Sequence, residues 1–264
     1  MKNTIDRREF IKTAGATALA VSPMGFLTGC GNKTKSGMVV TQEAGEMTYR
    51  TNKGKNDEVS ILGDGCMRWP MKKNEEGKDI IDQEKVNELI DYAIEKGVNY
   101  FDAAPVYLQG QCEAATGEAL SRHPRESYFV ATKLSNFKDA SRAEGIRMYK
   151  ASLEAFRTDY LDYYLLHSIK NAATFTKRFV ENGLMDFLME EREAGRIRNL
   201  GFSFHGNQEG FDELMALHEK YHWDFVQIQL NYMDWNHAGQ RNTNASYLQA
   251  ELDKRGIPSI IMEP

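Results

Sequence analysis

The chain has 264 residues, of which 41% are hydrophobic and 27% are charged, and its formal net charge at pH 7 is −5. A chain of this length can bury a full-sized core, and a mildly acidic sequence without a basic cluster argues against nucleic acid as a partner. The three cysteines have no C-x-x-C spacing, so the sequence predicts neither a metal site nor a disulfide framework.

The amino terminus has the pattern of an export signal. Arg7 and Arg8 precede a weakly apolar run that is too mild and too short for a stable membrane span, and this arrangement resembles a twin-arginine signal. The run ends in Leu27-Thr28-Gly29-Cys30, which resembles a lipobox, in which Cys30 is acylated and becomes the first residue. The alternative is a chance arginine pair before a buried helix.

These features predict three segments. Residues 1–30 are expected to be a twin-arginine lipoprotein signal, and residues 31–46 a flexible, polar tether. Residues 47–264 are expected to form the folded domain. The protein is therefore predicted to be exported to the periplasm and anchored in the cell envelope through a membrane-inserted lipid on Cys30.

From residue 47 onwards, predicted strands alternate with predicted helices. A hairpin of Met47–Arg50 and Glu58–Leu62 opens the domain. Apolar periodicity predicts a helix that Asp82 caps and Gly97 ends, and further helices over Glu113–Ser121, Ala143–Phe156, Leu184–Ala194, Gln208–His218 and Asn244–Lys254. The later strands are predicted over Asn99–Phe101, Tyr128–Thr132, Tyr163–Leu166, Arg198–Phe202, Phe225–Ile228 and Ser259–Met262.

Seven strands alternating with helices predict an α/β fold, a (β/α)₈ TIM barrel. The last strand and its helices are absent from this chain, because the sequence stops directly after strand seven. We therefore expect the chain to be the front part of a longer protein.

Polar side chains stand at three successive strand ends. Asp102 follows the strand Asn99–Phe101, and Tyr107 lies in the loop behind it. Lys133 ends the next strand and His167 the one after it. Taken singly, each residue reads as a helix cap, a packed side chain or a solvated group. Because the carboxyl ends of parallel strands meet at one mouth of a barrel, we expect the four side chains to lie together.

The same residues carry a family resemblance. Three segments in order resemble the signatures of the aldo/keto reductases: Phe101-Asp102-Ala103-Ala104-Pro105-Val106-Tyr107, Ala131-Thr132-Lys133 and Leu165-Leu166-His167-Ser168. By that resemblance Tyr107 is the general acid, and Lys133 lowers its pKa. Asp102 pairs with Lys133, and His167 orients the carbonyl group. A free phenol has a pKa of about 10, so it is a poor acid at neutral pH unless a cation favours its anion.

The resemblance places the opening hairpin across the closed bottom of the barrel, with its second arm leading into strand one. It also implies a nicotinamide cofactor, NADP(H) or NAD(H). Ser203 and Gln227 match family residues that bind the carboxamide, although Phe204 stands where the family has a second ligand, an asparagine. The alternative for Gln227 is a hydrogen bond to backbone inside the barrel. Met262 occupies the position of a stacking tyrosine. The first rim loop is expected to contact the cofactor through Gly65, Cys66 and Met67, with a simple turn as the alternative.

The sequence thus predicts an oxidoreductase that reduces an aldehyde or ketone to an alcohol, or catalyses the reverse reaction. Sugars, steroids, quinones and small aldehydes all fit, and Trp69 is expected to form an apolar wall of the mouth. A metal-dependent hydrolase is disfavoured because strand one has no His-x-His pair. A lipid-anchored envelope protein that uses a non-catalytic or incomplete barrel for binding remains the alternative.

The resemblance is closest to a bacterial subgroup that often carries a twin-arginine signal and a C-terminal iron–sulfur segment. The cysteines of that segment are not in this sequence, so a cluster is expected only if a longer parent carries it. Cys66 and Cys112 fall on neighbouring rim loops. We expect two free thiols, with a disulfide as the alternative.

Overall fold

The computed structural model describes residues 46–51, 57–138, 140–236 and 244–264. The predicted export signal and the predicted tether, apart from Glu46, lie outside the described residues. All described residues belong to one folded unit, Gly45–Pro264. Within these ranges, no helix combines the length and the apolar character needed to cross a membrane.

The described part of the chain alternates strands and helices. In chain order the strands are β1 (Tyr49–Thr51), β2 (Glu58–Ser60), β3 (Asp64–Gly65), β4 (Met71–Lys73), β5 (Asp79–Ile81), β6 (Tyr100–Asp102), β7 (Phe129–Leu134), β8 (Leu161–Ile169), β9 (Ile197–Phe204), β10 (Phe225–Gln229) and β11 (Ser259–Met262). The helices are α1 (Gln83–Glu95), α2 (Cys112–Leu120), α3 (Arg142–Ala155), α4 (Ala172–Phe175), α5 (Leu184–Glu193), α6 (Gln208–Ala216), α7 (His218–Tyr221) and α8 (Ala245–Arg255).

Seven parallel strands form one curled sheet in the order β11-β10-β9-β8-β7-β6-β3. Three strands separate β6 from β10, so a flat sheet would hold these two strands roughly 19 Å apart. Gln227 of β10 nevertheless donates a hydrogen bond of 2.9 Å to Asp102 of β6. The sheet therefore curls round an interior, which confirms the predicted α/β class and the barrel-like curvature.

The interior of the curl is filled by side chains that alternate along the strands. Tyr100, Tyr163 and Phe225 belong to one buried cluster, and the Tyr163 ring meets each of the other two at a centroid distance of 5.2 Å. Because side chains on one face of a strand recur every second residue, Asp102 and Gln227 lie on the same interior face. Aromatic rings thus fill the lower interior, and polar groups stand towards the carboxyl ends.

Strand one lies later in the chain than predicted. The segment Glu58–Ser60 is the second arm of the opening hairpin and pairs with β1, and the Ile61 and Leu62 side chains after it are exposed. Strand one is instead β3, whose Gly65 pairs with Asp102 of β6. The predicted first rim loop therefore begins inside the sheet.

A second hairpin, β4–β5, follows strand one, in a segment for which no strand is predicted from the sequence. Its arms pair between Met71 and Ile81, and its turn contains Gly77 at a φ of +76°. The Asn74 carboxamide oxygen closes the turn by accepting the backbone N–H groups of Glu76 and Lys78 at 3.0 and 2.9 Å. The segment Met71–Ile81 is rich in charged residues, which obscure the short alternation of apolar and polar side chains typical of a strand. The two strands were therefore not predicted.

Six helices, α1, α2, α3, α5, α6 and α8, correspond closely to the predicted ones and cover the outer face of the sheet. The contact between α2 and α3 is unusually close, because a Cβ at Gly117 would lie 2.1 Å from the backbone oxygen of Ala155. Trp69, expected at the mouth, is buried instead, and its indole N–H donates to the Thr116 hydroxyl of α2 at 2.8 Å. The outer layer therefore begins directly behind the first rim loop.

Candidate active site

Lys133 and Asp102 form a buried ion pair at the carboxyl end of the sheet. Lys133 is only 2% exposed, and its ammonium donates to Asp102 and to the backbone oxygen of Ala103, the latter at 2.9 Å. Burial alone would lower the pKa of Lys133, but the Asp102 carboxylate and Tyr107 outweigh it, so the net pKa is raised. The ammonium is therefore charged at neutral pH.

Tyr107 begins a short 3-10 turn, Tyr107–Gly110, directly behind β6. The Lys133 ammonium lies 5.1 Å from the centroid of the Tyr107 ring. Burial raises the pKa of Tyr107, while the charge and hydrogen bond of Lys133 lower it, and the net pKa stays above the ordinary value of 10. Lys133 thus acts in the predicted direction without overcoming burial, and Tyr107 is a neutral phenol that can give up a proton.

The His167 ring stands edge-on to Tyr107, with the ring centroids 5.9 Å apart. The side chain is 8% exposed, and burial together with the charges of Lys133 and Arg178 lowers the pKa of His167 to about 2. The imidazole is therefore neutral at any physiological pH and acts as a hydrogen-bonding group. Its Nδ1 lies 2.5 Å from the hydroxyl oxygen of Ser135.

The four predicted catalytic residues are thus brought together, and the predicted carboxamide ligands lie next to them. Ser203 and Gln227 face each other in the register of β9 and β10. The Gln227 side-chain nitrogen donates to Asp102, whereas its side-chain oxygen is buried and has no hydrogen-bond partner among the described residues. The Ser203 hydroxyl accepts the backbone N–H of Ser168 at 2.8 Å, and its own proton can still be donated.

An acceptor and a donor side by side are what a primary carboxamide requires. The Gln227 oxygen can accept from the amide nitrogen, and the Ser203 hydroxyl can donate to the amide oxygen. A buried acceptor without a partner is unfavourable, so a ligand that satisfies Gln227 gains binding energy there. The residues present therefore fit the nicotinamide carboxamide.

The other predicted cofactor contacts differ in accessibility. Met67 is exposed at the rim, and Met262 of β11 pairs with Gln229 of β10. Cys66 is fully buried, and its thiol donates weakly to the backbone oxygen of Asp64, so only its backbone can face a ligand. Phe204 packs on a core phenylalanine outside the curl. Whether Gly65, Cys66, Met67 and Met262 touch the cofactor stays a prediction.

Cys66 and Cys112 are both free, which confirms the predicted thiols. The Cys112 thiol donates to the backbone oxygen of Cys66 at 3.2 Å. Burial raises the pKa of both, for Cys112 to about 11. Both are therefore unreactive protonated thiols in the folded chain.

Four residues around His167 were missed by the sequence analysis. Ser135, Asn136 and Phe137 follow Lys133 in the chain, and the Phe137 ring centroid lies 5.0 Å from that of His167. The buried Arg178 guanidinium donates to the His167 backbone oxygen at 2.8 Å and to the Asn136 side-chain oxygen at 2.9 Å. Proximity to the Lys133 signature could have pointed to the first three, whereas Arg178 lies in a π-helical turn, Thr176–Val180, that gives no signal.

The comparisons with known proteins agree on a family. A family model described as "Aldo/keto reductase family" matches residues 62–264. An uncharacterized oxidoreductase of Bacillus subtilis, YqkF, is 34% identical over 155 residues, which is 55% of this chain and 45% of that protein. The protein tas of Escherichia coli is 29% identical over 195 residues, 61% of this chain and 52% of that protein. The chain therefore spans about half the length of these relatives.

Two solved structures show a similar fold. The holo form of an aldo-keto reductase from Bacillus halodurans has a TM-score of 0.63 and 23% identity, over 82% of this chain and 66% of that one. An aldo-keto reductase from Klebsiella pneumoniae in complex with NADPH has a TM-score of 0.63 and 20% identity, over 83% of this chain and 68% of that one. At these identities the likeness concerns the fold alone.

Proposed function

The chain belongs to the aldo/keto reductase family, and from that we propose a nicotinamide-dependent oxidoreductase that reduces an aldehyde or ketone to an alcohol, or catalyses the reverse. One observation carries the proposal. A buried, charged Lys133, paired with Asp102, faces the neutral phenol of Tyr107, and the neutral His167 ring stands beside that phenol. This arrangement offers a proton and a hydrogen bond to the same substrate oxygen.

The side chains act on the oxygen of the carbonyl group. Tyr107 transfers its phenolic proton to that oxygen as negative charge develops there, and His167 donates a hydrogen bond to it. Lys133 then stabilises the phenolate, and Asp102 keeps the ammonium charged and in place. Tyr107 regains its proton from solvent. Bound NADP(H) or NAD(H) supplies the hydride that reaches the carbonyl carbon, since no side chain can provide one.

Ser203 and Gln227 are proposed to hold the carboxamide of that cofactor. The relative from Klebsiella pneumoniae was solved with NADPH, which makes NADP(H) the first cofactor to test. The purified chain should lower the absorbance of NADPH when it is mixed with a panel of aldehydes and ketones. Quenching or shift of NADPH fluorescence without turnover would favour the alternative of a non-catalytic barrel used for binding. No response to NADPH or NADH would contradict both cofactor assignments.

We also propose that the protein is a periplasmic, lipid-anchored export product, on the strength of the Arg7-Arg8 and Cys30 motifs alone. Labelling of cells with a radioactive fatty acid should mark the wild-type chain and leave Cys30→Ser unmarked. Export should also stop when both arginines are replaced by lysine. Equal labelling of both chains would contradict the anchor. An iron–sulfur cluster stays an expectation for a longer parent.

A further inference from the structure

The position of the proton on the His167 imidazole decides whether this ring can assist the proposed reaction. A neutral imidazole carries one N–H donor and one acceptor nitrogen. Ser135 occupies Nδ1, so Nε2 is the nitrogen left for a substrate oxygen. If the imidazole proton is on Nε2, this nitrogen can donate a hydrogen bond to that oxygen. If the proton is on Nδ1, the nitrogen left for the substrate is an acceptor and repels a developing oxyanion.

The hydroxyl of Ser135 determines which of these two forms is satisfied. Ser135 is 3% exposed, and among the described residues its hydroxyl has no hydrogen-bond partner other than His167 Nδ1. If Nδ1–H donated to Ser135, the serine proton would be buried without an acceptor, which is costly. If Ser135 donates to Nδ1, both the serine proton and the Nδ1 lone pair have a partner. The geometry therefore favours the serine as the donor.

The surroundings keep the ring in that orientation. Phe137 and Tyr107 pack against His167 with ring centroids at 5.0 and 5.9 Å. Arg178 fixes the backbone oxygen of His167 at 2.8 Å and holds Asn136, the residue after Ser135. The cations Lys133 and Arg178 disfavour a doubly protonated ring. Ring rotation, which would exchange the two nitrogens, is therefore opposed by the packed rings of Phe137 and Tyr107.

We propose that Ser135 is a positioning residue that donates its hydroxyl proton to Nδ1 of His167 and so keeps the imidazole proton on Nε2, facing the substrate oxygen. The role of Nε2 in turnover rests on the proposed function. The hydrogen bond itself does not, because it exists in the folded chain without substrate or cofactor. The two can therefore be tested separately.

The direct test is nitrogen NMR of the full chain labelled with ¹⁵N-histidine. The chain has six histidines, and the signals of His167 are those lost in a His167→Gln variant. Long-range ¹H–¹⁵N correlations distinguish the two tautomers, because the unprotonated nitrogen resonates far downfield. We expect a single neutral form with the proton on Nε2 between about pH 6 and pH 8. A proton on Nδ1 in the wild-type chain would overturn the proposal.

The same NMR measurement on variants of Ser135 is the second part of the test. Ser135→Ala should give a mixture of tautomers, and Ser135→Thr, which keeps the hydroxyl, should restore the Nε2–H form. Ser60→Ala removes another buried, hydrogen-bonded serine, remote in the opening hairpin, and should leave the His167 signals unchanged. An unchanged tautomer in Ser135→Ala would overturn the proposal.

The turnover rate of the same variants is an independent test of the role of Ser135. In Ser135→Ala, kcat should fall about fivefold to tenfold, as expected for the loss of one hydrogen bond, with little change in KM for the cofactor. Ser135→Thr should recover most of the rate. A wild-type chain with the expected tautomer but no reductase activity would contradict the proposed function and leave the role of Ser135 intact.

Discussion

Tyr107 is subject to two opposing influences on its acidity. Burial raises the pKa of the phenol, and the Lys133 ammonium lowers it, with burial the larger effect. The outcome is a phenol that stays protonated at neutral pH and gains stabilisation only after the proton has left. This is the behaviour required of a general acid, because the cation stabilises the product of proton transfer.

Replacing Tyr107 by phenylalanine should abolish this proton transfer. We expect kcat for carbonyl reduction to fall by about 10²- to 10⁴-fold, the usual contribution of a general acid, while cofactor affinity and the fold are retained. NADPH oxidation and fluorescence titration measure the two effects. Tyr92→Phe, on the exposed face of α1, serves as the control. A Tyr107→Phe enzyme that works at the wild-type rate would rule out the proposed acid.

Lys133→Met should raise the apparent pKa of Tyr107, because it removes the cation whose charge and hydrogen bond lower the pKa of that phenol. Carbonyl reduction requires the protonated phenol, so the alkaline decline of the rate should move to higher pH, and the maximal rate should fall. A pH profile of kcat on the substrate found in the screen measures the shift. Lys170→Met, at an exposed position, should leave the profile in place, and an unshifted profile for Lys133→Met would count against the pairing.

His167 should make the stability of the protein sensitive to acid. Its pKa is about 2 in the folded chain, so below its ordinary value of 6.5 the unfolded chain takes up a proton that the folded chain excludes. Stability is therefore unaffected above about pH 6.5 and declines as the pH falls from there towards 2. Relative to pH 7.5, the wild type should lose about 2 to 3 kcal/mol more than His167→Gln at pH 4.5.

Urea unfolding of both proteins at the two pH values measures this difference. Carboxylates titrate in both chains, so the comparison isolates the histidine. Equal losses in the two chains would show that His167 is accessible to protons in the folded state.

At the scale of elements, the crossing of α2 over α3 depends on Gly117. An alanine Cβ would lie 2.1 Å from the Ala155 backbone oxygen, and backbone cannot move aside easily. At an uncrowded helical position the same change would stabilise by about 0.5–1 kcal/mol. Here we expect Gly117→Ala to lower the free energy of unfolding by about 1–3 kcal/mol. A loss of stability rather than a gain would therefore indicate that the two helices are in close contact.

Thermal and urea unfolding test this prediction. Ala114→Ser, on the exposed face of the same helix, should change the free energy of unfolding little. A stabilised Gly117→Ala protein would mean that the helices are further apart than described.

Sequence periodicity predicted which elements exist better than where they end. The helices appeared close to their predicted bounds, because an apolar stripe and a capping residue are local signals. Strands β7 and β8 run further towards their carboxyl ends than predicted, so Lys133 and His167 lie within strands. Polar side chains normally indicate that a strand has ended at the solvent, so the predicted strands were too short. Here the polar side chains instead face the interior of the curled sheet.

The candidate site was predictable only in part, for a similar reason. Asp102, Lys133 and His167 are set by strand order, which the sequence indicates. Ser135 contacts His167 from the loop after β7, and Arg178 contacts it from the π-helical turn Thr176–Val180. Packing between such separate segments leaves no periodic pattern in the sequence. The net pKa of Tyr107 was also beyond the sequence, because it depends on how deeply the phenol is buried.

At the scale of the whole molecule, the curled sheet depends on the aromatic side chains that fill it. Phe225 is fully buried, and its ring meets Tyr163 at 5.2 Å. Phe225→Ala should lower the free energy of unfolding by about 3–5 kcal/mol, the usual cost of truncating a buried phenylalanine. Tyr232→Ala, at a residue 92% exposed, is the control and should have little effect. A small loss for Phe225→Ala, measured by urea unfolding, would show that the interior can collapse to refill the space.

Asp102 accepts hydrogen bonds from Lys133 on one oxygen and from Gln227 on the other. A single carboxylate thus holds both the lysine that supports the proposed proton donor and the glutamine proposed to bind the coenzyme. If the proposed function holds, changing Gln227 to accept an artificial coenzyme would therefore also disturb the ion pair that supports proton transfer. The two tasks have to be re-optimised together, with Asp102 as the residue on which both depend.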